Sequence, residues 1–504
     1  MSELNRQEEK RSRKWTGRPC VRMYLTRIVS LHERYSICRR NCGFPIPNTI
    51  ILSYPSSHLA PSRKHLDNRI RELLVKFPLL NAEIRGSQTK NPYFAPRATT
   101  LTPGDILSEQ ILEDGTTRDE VLVSAIRSAE FADLDGPLWQ VIRHSFTSTL
   151  TSTSTSSSNS SPTYLSISAQ HELLDGIGLL RLMHALTSDS IDKLPSEPFE
   201  TPVGMSTPEY KPSISFLLPL IYTEMIIPAL PTWLQSYLRP TPAWPFKIDL
   251  HPSKAPWASS TLSLDPEQIT KISQAGKSNN VKTLHPILKV AYLLAIRSVY
   301  GNDVDVDAGA KVKALGAKFI GQSPRNERDP SLGHPWMTGN YTSSFEWTLP
   351  SNGTFWTAAR ECYQYGISPP AISSGRQKMG TLAYLPDPDP SDSTASDDPK
   401  RATGWEDHYT TKFESGVNPY TESLSISNLG RTTLPPGATD LIWGLPGSPF
   451  APPFSVAMIG HEGGLRVYTT WREGCPVTLD AARKVEHVFV DILTRATNGD
   501  GVQL

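Results

Sequence analysis

Cysteine is scarce in this 504-residue sequence, neither sign of charge is in excess, and no long apolar run is free of interruption. The five cysteines are odd in number and scattered, which argues against a disulfide framework and predicts a reducing compartment. Only Cys38 and Cys42 lie close together, and no second Cys or His pair completes a zinc site, so we predict no metal. The 50 Lys and Arg residues balance the 50 Asp and Glu residues, which argues against nucleic acid as the main partner.

Signals for secretion or for spanning a membrane are also weak. The first 14 residues are charged and lack the apolar core of a signal peptide. Residues 216–234 are mostly apolar, but Glu224 and three prolines interrupt them, whereas a bilayer span needs about 20 apolar residues in a row. We therefore expect a cytoplasmic monomer in which this stretch is a buried crossover. The alternative is peripheral contact with a membrane, at the endoplasmic reticulum or lipid droplets.

The 44 prolines and 32 glycines indicate many loops between short elements. Residues 147–162, rich in Ser and Thr, and the acidic residues 386–403 are predicted to be disordered loops, because they cannot offset the entropy cost of ordering. Proline-rich segments suggest a boundary between residues 200 and 250. We expect one lobe over residues 20–215, a crossover over 216–250 and a second lobe over 251–496.

Apolar periodicity indicates the fold class. Two amphipathic helices are predicted from apolar residues at i, i+4, i+7 and i+11, namely Leu66, Ile70, Leu73 and Phe77, and Leu284, Leu288, Ala291 and Ala295. Pro78 should end the first helix, and residues 79–84 should follow as a strand. Both helices lie beside strand-like runs, so the sequence predicts an α/β (α+β) protein of two lobes.

The most informative segment covers residues 163–186. Apolar and polar residues alternate up to His171, which predicts a strand whose end carries this imidazole. Asp175 and Gly176 then form a tight turn, in which glycine relieves the steric limits on the backbone. A helix should follow, because apolar residues recur at helical spacing from residue 179 onward. A side chain at such a strand end is fixed by the sheet and can still face a cleft.

Three interpretations of this segment compete. The first is a surface loop that happens to contain a histidine. The second is a metal site, because the segment begins like the zinc-protease motif HExxH. That motif needs a second imidazole on the same helix face, and here Asp175 stands in its place. The third is a catalytic loop in which His171 acts as a general base.

His171, Asp175 and Gly176 match the HxxxDG signature of the coenzyme-A-dependent acyltransferase superfamily. That superfamily includes fungal alcohol acetyltransferases, plant HxxxD acyltransferases, carnitine acyltransferases and the condensation domains of peptide synthetases. The segments 31–35 (LHERY) and 77–80 (FPLL), and the DGPLW run at 135–139, resemble it as well. The resemblance implies two chloramphenicol-acetyltransferase-like lobes with an active-site channel between them.

The second half of the chain extends the resemblance. Arg328 resembles the strand-end arginine that pairs with the motif aspartate in relatives, and Asn340 belongs to a Gly-Asn step like the one that follows it. Residues 425–430 and 440–444 look like degenerate Ser-Trp and DFGWG elements. Asn428 and the Leu-Ile pair in DLIWG depart from those elements, which points away from the plant branch and towards fungal alcohol acetyltransferases.

What the resemblance implies is transfer of an acyl group, acetyl in the first instance, from acyl-CoA to an alcohol hydroxyl. His171 would be the general base, a role that typically contributes about 10²–10⁴-fold. Asp175 would hold the loop through Arg328 rather than touch substrate. No tightly bound cofactor is expected, since acyl-CoA is a co-substrate and a small alcohol or hydroxylated metabolite is the acceptor.

Oxyanion donors usually contribute more than the base. Ser427 is the first candidate, with Ser425 or Asn428 in reserve, and Asn340 is a further candidate for contact with oxyanion or substrate. Alternating serines are, however, equally expected in a plain strand.

Two other functions stay open at this point. One is a condensation-type transferase that takes acyl groups from a carrier protein, although Gln170 replaces the histidine that usually precedes the motif there. The other is a non-catalytic scaffold of the same fold, against which the intact His171 argues.

Overall fold

The computed structural model describes residues 26–130, 136–146, 162–199, 210–238, 243–244, 251–301, 318–385, 387, 398–414 and 420–504. Its strands are β1 (Arg27–Ile28), β2 (Pro47–Tyr54), β3 (Ala82–Arg85), β4 (Tyr93–Pro96), β5 (Leu107–Leu112), β6 (Trp139–Phe146), β7 (Thr163–Gln170), β8 (Trp257–Leu264), β9 (Ile320–Asn326), β10 (Thr342–Thr348), β11 (Leu424–Arg431), β12 (Asp440–Gly444), β13 (Phe454–His461) and β14 (Gly464–Arg472). Its α-helices are α1 (Leu31–Asn41), α2 (Arg63–Lys76), α3 (Pro103–Ile106), α4 (Arg118–Glu130), α5 (Gly176–Thr187), α6 (Ile214–Ile221), α7 (Ile227–Ala229), α8 (Thr232–Leu238), α9 (Pro266–Ser278), α10 (Leu284–Tyr300), α11 (Phe355–Gly366), α12 (Pro369–Gly380), α13 (Gly404–Glu414) and α14 (Leu479–Asn498).

Two large mixed sheets form the centres of two lobes. The first has five strands in the order β12-β2-β7-β6-β5, and the second has six in the order β10-β9-β11-β13-β14-β8. Each sheet has its own hydrophobic core, to which α2, α4 and α5 contribute in the first lobe and α10, α11 and α14 in the second. The predicted α/β architecture of two lobes is therefore confirmed.

Both predicted amphipathic helices are confirmed. Helix α2 begins after Ser62, whose hydroxyl accepts a hydrogen bond from the backbone N–H of His65, and it ends before Pro78. Helix α10 is buried along most of its length. The strand expected over residues 79–84 is shorter than predicted. The reason is that Pro78 opens a 3-10 turn that runs to Asn81, so the chain becomes extended only at β3.

Strand β12 connects the two lobes. β12 comes from the part of the chain that the sequence assigned to the second lobe, yet it pairs with β2 of the first sheet, with Trp443 opposite Ile50. Strands β11 and β13, before and after it in the chain, pair with each other in the second sheet. The lobes are therefore not two consecutive pieces of chain, and the boundaries proposed near residues 215 and 250 stay a prediction.

The two loops predicted to be disordered fall mainly outside the described residues, at 147–161, 386 and 388–397. Strands β6 and β7, on either side of the first loop, pair antiparallel as neighbours. The loop predicted to be disordered over 386–403 ends earlier than predicted, because Pro399–Arg401 form a 3-10 turn that leads into α13.

The prediction of a buried crossover is wrong. Helix α6, a π-helical turn over Tyr222–Ile226, α7 and α8 follow one another along the surface. Nine of the seventeen large hydrophobic side chains that are exposed in the described part of the chain lie between Ile214 and Tyr237. Only Pro231 separates helices here, dividing α8 from the continuous run of α6, the π-helical turn and α7, and this run lies on the surface with its apolar side chains exposed. No helix within the described ranges is long and apolar enough to cross a bilayer.

Candidate active site

A cavity of about 310 Å³ lies between the lobes, and residues of both lobes line it. The first lobe contributes His32 and His171, and the second contributes Thr342 and Ser427. Its volume is at the lower end of the range for small-molecule sites, about 300–1,000 Å³. The channel that the sequence resemblance implied thus has a counterpart in the structure.

His171 lies where β7 ends. All eight residues of β7 are buried, and the strand is held between β2 and β6. Directly after it, the backbone N–H groups of Leu173 and Leu174 donate to the carbonyl oxygen of Gln170, which turns the chain. The amide of Asn48 on β2 fixes this turn by donating to the carbonyl oxygen of Leu174 at 3.0 Å. The turn leaves the His171 side chain at the cavity wall.

Asp175 connects the motif loop to the second lobe. Its Oδ2 lies 2.7 Å from Nη2 of Arg328, and both side chains are only 1% exposed. The same oxygen accepts from the backbone N–H of Tyr341 at 3.0 Å, while Oδ1 caps α5 by accepting from the N–H of Gly178 at 2.7 Å. Arg328 also donates to three carbonyl oxygens, those of Pro335, Thr338 and Gly339. The structure therefore brings Asp175 and Arg328 together, and neither lines the cavity.

The loop held by this ion pair places Asn340 against His171. Gly339 has a φ of 83°, and a Cβ atom there would lie 2.8 Å from the ring of Tyr341, so the position requires glycine. The carboxylate of Glu33 accepts the backbone N–H of Asn340 at 3.1 Å. The Asn340 amide nitrogen lies 2.8 Å from Nδ1 of His171 and donates to its carbonyl oxygen at 2.9 Å. Asn340 is fully buried and contacts the histidine instead of the cavity.

Burial, with a contribution from the positive charge of Arg39, lowers the pKa of His171 to about 4. The carbonyl oxygen of the same residue, Asp175 and Glu172 act in the opposite direction but do not offset burial. The imidazole is therefore neutral at pH 7 and can accept a proton. The pKa of His32 is also lowered well below its usual value, by burial first and then by His171 and Arg39.

The wall contributed by β11 carries the residues predicted to stabilise an oxyanion. Ser425, Ser427 and Asn428 all line the cavity. Within the described residues neither serine hydroxyl has a hydrogen-bond partner, and Oδ1 of Asn428 accepts from the N–H of Gly430 at 2.8 Å. A Cβ atom at Gly176 would lie 2.7 Å from Leu429, so glycine allows the start of α5 to approach β11 closely.

His32 is a cavity residue that the sequence did not single out. The side chain of Ser30 and that of Glu33 form a capping box, which marks the start of α1 and could have been recognised in the sequence. Nothing local, however, indicates that this first turn lies beside the HxxxDG loop. The ring centroids of His32 and His171 are 5.8 Å apart.

A second cavity, of about 370 Å³, adjoins the first, because Asn428 lines both. Arg431, Thr270 and His285 belong to its wall. In the part of the chain that the structure describes, no group of three His, Cys, Asp or Glu side chains is arranged to hold a metal ion.

No family model and no curated protein matches this sequence. Solved structures with the same fold include the TRI3 trichothecene 15-O-acetyltransferase of Fusarium sporotrichioides, with a TM-score of 0.57 at 10% identity over 94% of each chain. The epimerization domain from the third module of tyrocidine synthetase B also has a TM-score of 0.57, at 10% identity, over 95% of this chain and 98% of that one. The condensation domain of the Monacolin K polyketide synthase has a TM-score of 0.57, at 9% identity, over 95% and 99%.

Identities this low establish the fold and nothing finer, so the narrower resemblance to fungal alcohol acetyltransferases stays a prediction. The chain has the two-lobed fold of condensation domains and chloramphenicol-acetyltransferase-like acyltransferases.

Proposed function

We propose that the protein is an O-acyltransferase that moves an acyl group, acetyl in the first instance, from acyl-CoA to the hydroxyl of a small alcohol or hydroxylated metabolite. The observation that carries this proposal is the neutral imidazole of His171 at the wall of an interlobe cavity, whose other wall offers the unpaired hydroxyls of Ser425 and Ser427. A base and hydrogen-bond donors around one cavity are what attack of an alcohol on a thioester requires.

The base needs a lone pair on Nε2, so Nδ1 must carry the hydrogen. The carbonyl oxygen of His171 itself can accept that hydrogen, and Asn340 holds the same oxygen from the other side. The Asn340 amide nitrogen, 2.8 Å from Nδ1, can only donate, so this contact pairs with the tautomer protonated on Nε2. The base function requires the hydrogen on Nδ1, so we propose that this contact lengthens when substrate binds and that Nδ1–H then turns to the carbonyl oxygen of His171.

The reaction then proceeds in two steps. Nε2 of His171 takes the hydroxyl proton while the alcohol oxygen bonds to the thioester carbon, and Ser427, with Ser425 or the amide of Asn428, donates to the oxyanion. When the intermediate collapses, the C–S bond breaks and the imidazolium gives its proton to the leaving sulfur. No acyl-enzyme is needed, so the base returns to its neutral state at the end of each turnover.

We expect the acyl-CoA donor to bind in the second cavity. The acyl thioester would reach the first cavity past Asn428, which borders both. Arg431 is exposed in that wall and offers a positive charge to the phosphates of coenzyme A.

Thiol release tests the proposal. With acetyl-CoA and a panel of alcohols, we expect free thiol to appear only when an alcohol is present, with one ester formed per thiol. A chelator should leave the rate unchanged, because an imidazole does the chemistry. A clear preference for an acyl group carried on a carrier protein would favour the condensation-type alternative. If the folded protein releases no thiol from any acyl donor, the proposal is wrong.

We also propose that α6 to α8 contact a lipid surface from one side. Trp233 and Tyr237 are 72% and 85% exposed, and such amphipathic rings prefer the boundary between membrane and water. Glu224 is the only charged residue from the start of α6 to the end of α8. Burial of apolar area, and not attraction between charges, would therefore drive the contact.

These helices are attached close to the site. Ser213, the N-cap of α6, donates through its backbone N–H to the side chain of Gln377 on α12 at 2.8 Å. Two residues further along α12, Met379 lines the first cavity. A lipid-dissolved alcohol would therefore meet the protein near a wall of its binding site.

Vesicle flotation checks the lipid contact. The double variant Trp233→Ser, Tyr237→Ser should reduce the fraction bound to phosphatidylcholine vesicles by about tenfold or more, because two large apolar side chains no longer enter the interface. The pair Leu332→Ser, Ile367→Ser changes exposed apolar residues elsewhere and should bind as the parent does. Added salt should have little effect. A dimer in solution that the first variant dissolves would instead assign this surface to a second copy of the chain.

A further inference from the structure

A chain of hydrogen bonds connects the two imidazoles at the cavity wall. Nδ1 of His32 lies 2.7 Å from the hydroxyl oxygen of Thr342. That hydroxyl lies 2.9 Å from Oδ1 of Asn340, whose amide nitrogen lies 2.9 Å from the carbonyl oxygen of His171. The chain runs from α1 of the first lobe through β10 of the second and back to the HxxxDG loop.

The direction of these bonds follows from atoms that can only accept. The carbonyl oxygen of His171 has no hydrogen, so the Asn340 atom facing it is the amide nitrogen, and Oδ1 faces Thr342. Oδ1 can only accept as well, so it takes the single hydrogen of the Thr342 hydroxyl. The Thr342 oxygen must then accept a hydrogen from Nδ1 of His32. In neutral imidazole this leaves Nε2 of His32 with a lone pair and no hydrogen.

This lone pair is open to a ligand. Nε2 of His32 has no hydrogen-bond partner in the described ranges and is not among the polar atoms enclosed by protein. The ring lines the cavity together with His171. Burial keeps the pKa of His32 well below its usual value, so the ring stays a neutral acceptor. A ligand that satisfies it must bring a hydrogen-bond donor.

We propose that His32 determines acceptor specificity, by accepting a hydrogen bond from a second hydroxyl on the molecule whose first hydroxyl is acylated at His171. The substrate class is then a diol or polyol with neighbouring hydroxyls. The ring centroids are 5.8 Å apart, and a hydrogen bond spans about 2.8 Å between its heavy atoms. Two oxygens on adjacent or next-but-one carbons, each bonded to one of the rings, match this spacing. This inference rests on the proposed function, since it names the acceptor of that same site.

A matched pair of acceptors tests it: a 1,2-diol and the mono-alcohol with the same carbon skeleton. The wild-type protein should prefer the diol in kcat/KM by about tenfold or more, because the mono-alcohol leaves Nε2 of His32 unpaired in the occupied cavity. His32→Ala should abolish this preference by lowering the value for the diol about tenfold more than the value for the mono-alcohol. His32→Gln keeps an acceptor oxygen and should restore part of the preference. A purely structural role for His32 would lower both values together.

Thr342→Val provides a second variant that keeps the imidazole. It removes the hydroxyl acceptor for Nδ1–H and leaves only the backbone contact of residue 342, so Nε2 is held less firmly as the acceptor and the preference for the diol should fall. Equal kcat/KM for the two acceptors in the wild type, or a preference that survives His32→Ala, overturns the inference while the proposed function stands. If no acceptor is acylated the proposed function fails, and equilibrium binding of the same pair to the wild type and to His32→Ala then decides about His32 alone.

Discussion

Replacing His171 with alanine should lower turnover by about two to four orders of magnitude while acyl-CoA still binds. The side chain lost faces the cavity, and the contact of Asn340 with the carbonyl oxygen of residue 171 remains. The loss should therefore appear in kcat and not in the KM for the donor or in the melting temperature. Thiol release and ester formation, measured together with thermal unfolding, check this expectation.

His184→Ala is the matched control for that variant. His184 lies on α5, bonds to the hydroxyl of Thr432 at 2.8 Å and does not line the cavity. It should retain the wild-type rate. If His171→Ala also retained the wild-type rate with the preferred alcohol, the assignment of His171 as the general base would be wrong.

The pH profile of the wild type belongs to the same expectation. Burial lowers the pKa of His171 to about 4, with Arg39 acting in the same direction and Asp175 and Glu172 against it. The acid limb of kcat/KM should therefore lie near pH 4 and not near 6.5. In the unfolded chain this imidazole has its ordinary pKa of about 6.5, so it takes up the proton at a higher pH than in the folded protein. The free energy of unfolding therefore also falls as the pH drops below about 6.5. Fluorescence at each pH must establish that the protein is folded. A limb near pH 6.5 would mean that the imidazole is not desolvated.

Asp175→Asn should lower stability and activity together. The change leaves the buried guanidinium of Arg328 without its negative partner, and breaking such a pair costs about 3–5 kcal/mol of the free energy of unfolding. We expect the lower end of this range, because Arg328 keeps its three carbonyl acceptors and an asparagine oxygen can still cap α5. Activity should fall because the loop that carries Asn340 against His171 loses its anchor. Urea unfolding and thiol release measure the two effects.

Glu267→Gln is the control for a broken ion pair. Glu267 and Lys271 are paired on α9, with side chains 77% and 62% exposed, and water replaces such a contact at little cost. Both stability and activity should stay at the wild-type level. If Asp175→Asn lost activity with an unchanged unfolding curve, Asp175 would have a direct chemical role and its assignment to loop support would be wrong.

Local sequence patterns were enough to predict the strand, loop and helix around His171. The determinants of that segment are local: alternating residues specify β7, Asp175 caps α5, and apolar spacing specifies the helix. The same holds for α2 and α10, so the α/β class could be predicted in advance. The contact between Asp175 and Arg328 was available only through resemblance, because residues so far apart in the chain meet only when the lobes assemble.

Other features depend on contacts between residues that are far apart in the chain. Apolar composition predicted a buried stretch at 216–234, but burial needs a space in a core, and these helices lie on the surface. The pairing of β12 with β2 and the position of His32 beside His171 depend on long-range packing, which no local pattern encodes. The chain of hydrogen bonds through Thr342 and Asn340 is the clearest case. Its four members come from α1, the HxxxDG loop and the β9–β10 region, and only folding brings their atoms within 3 Å of one another.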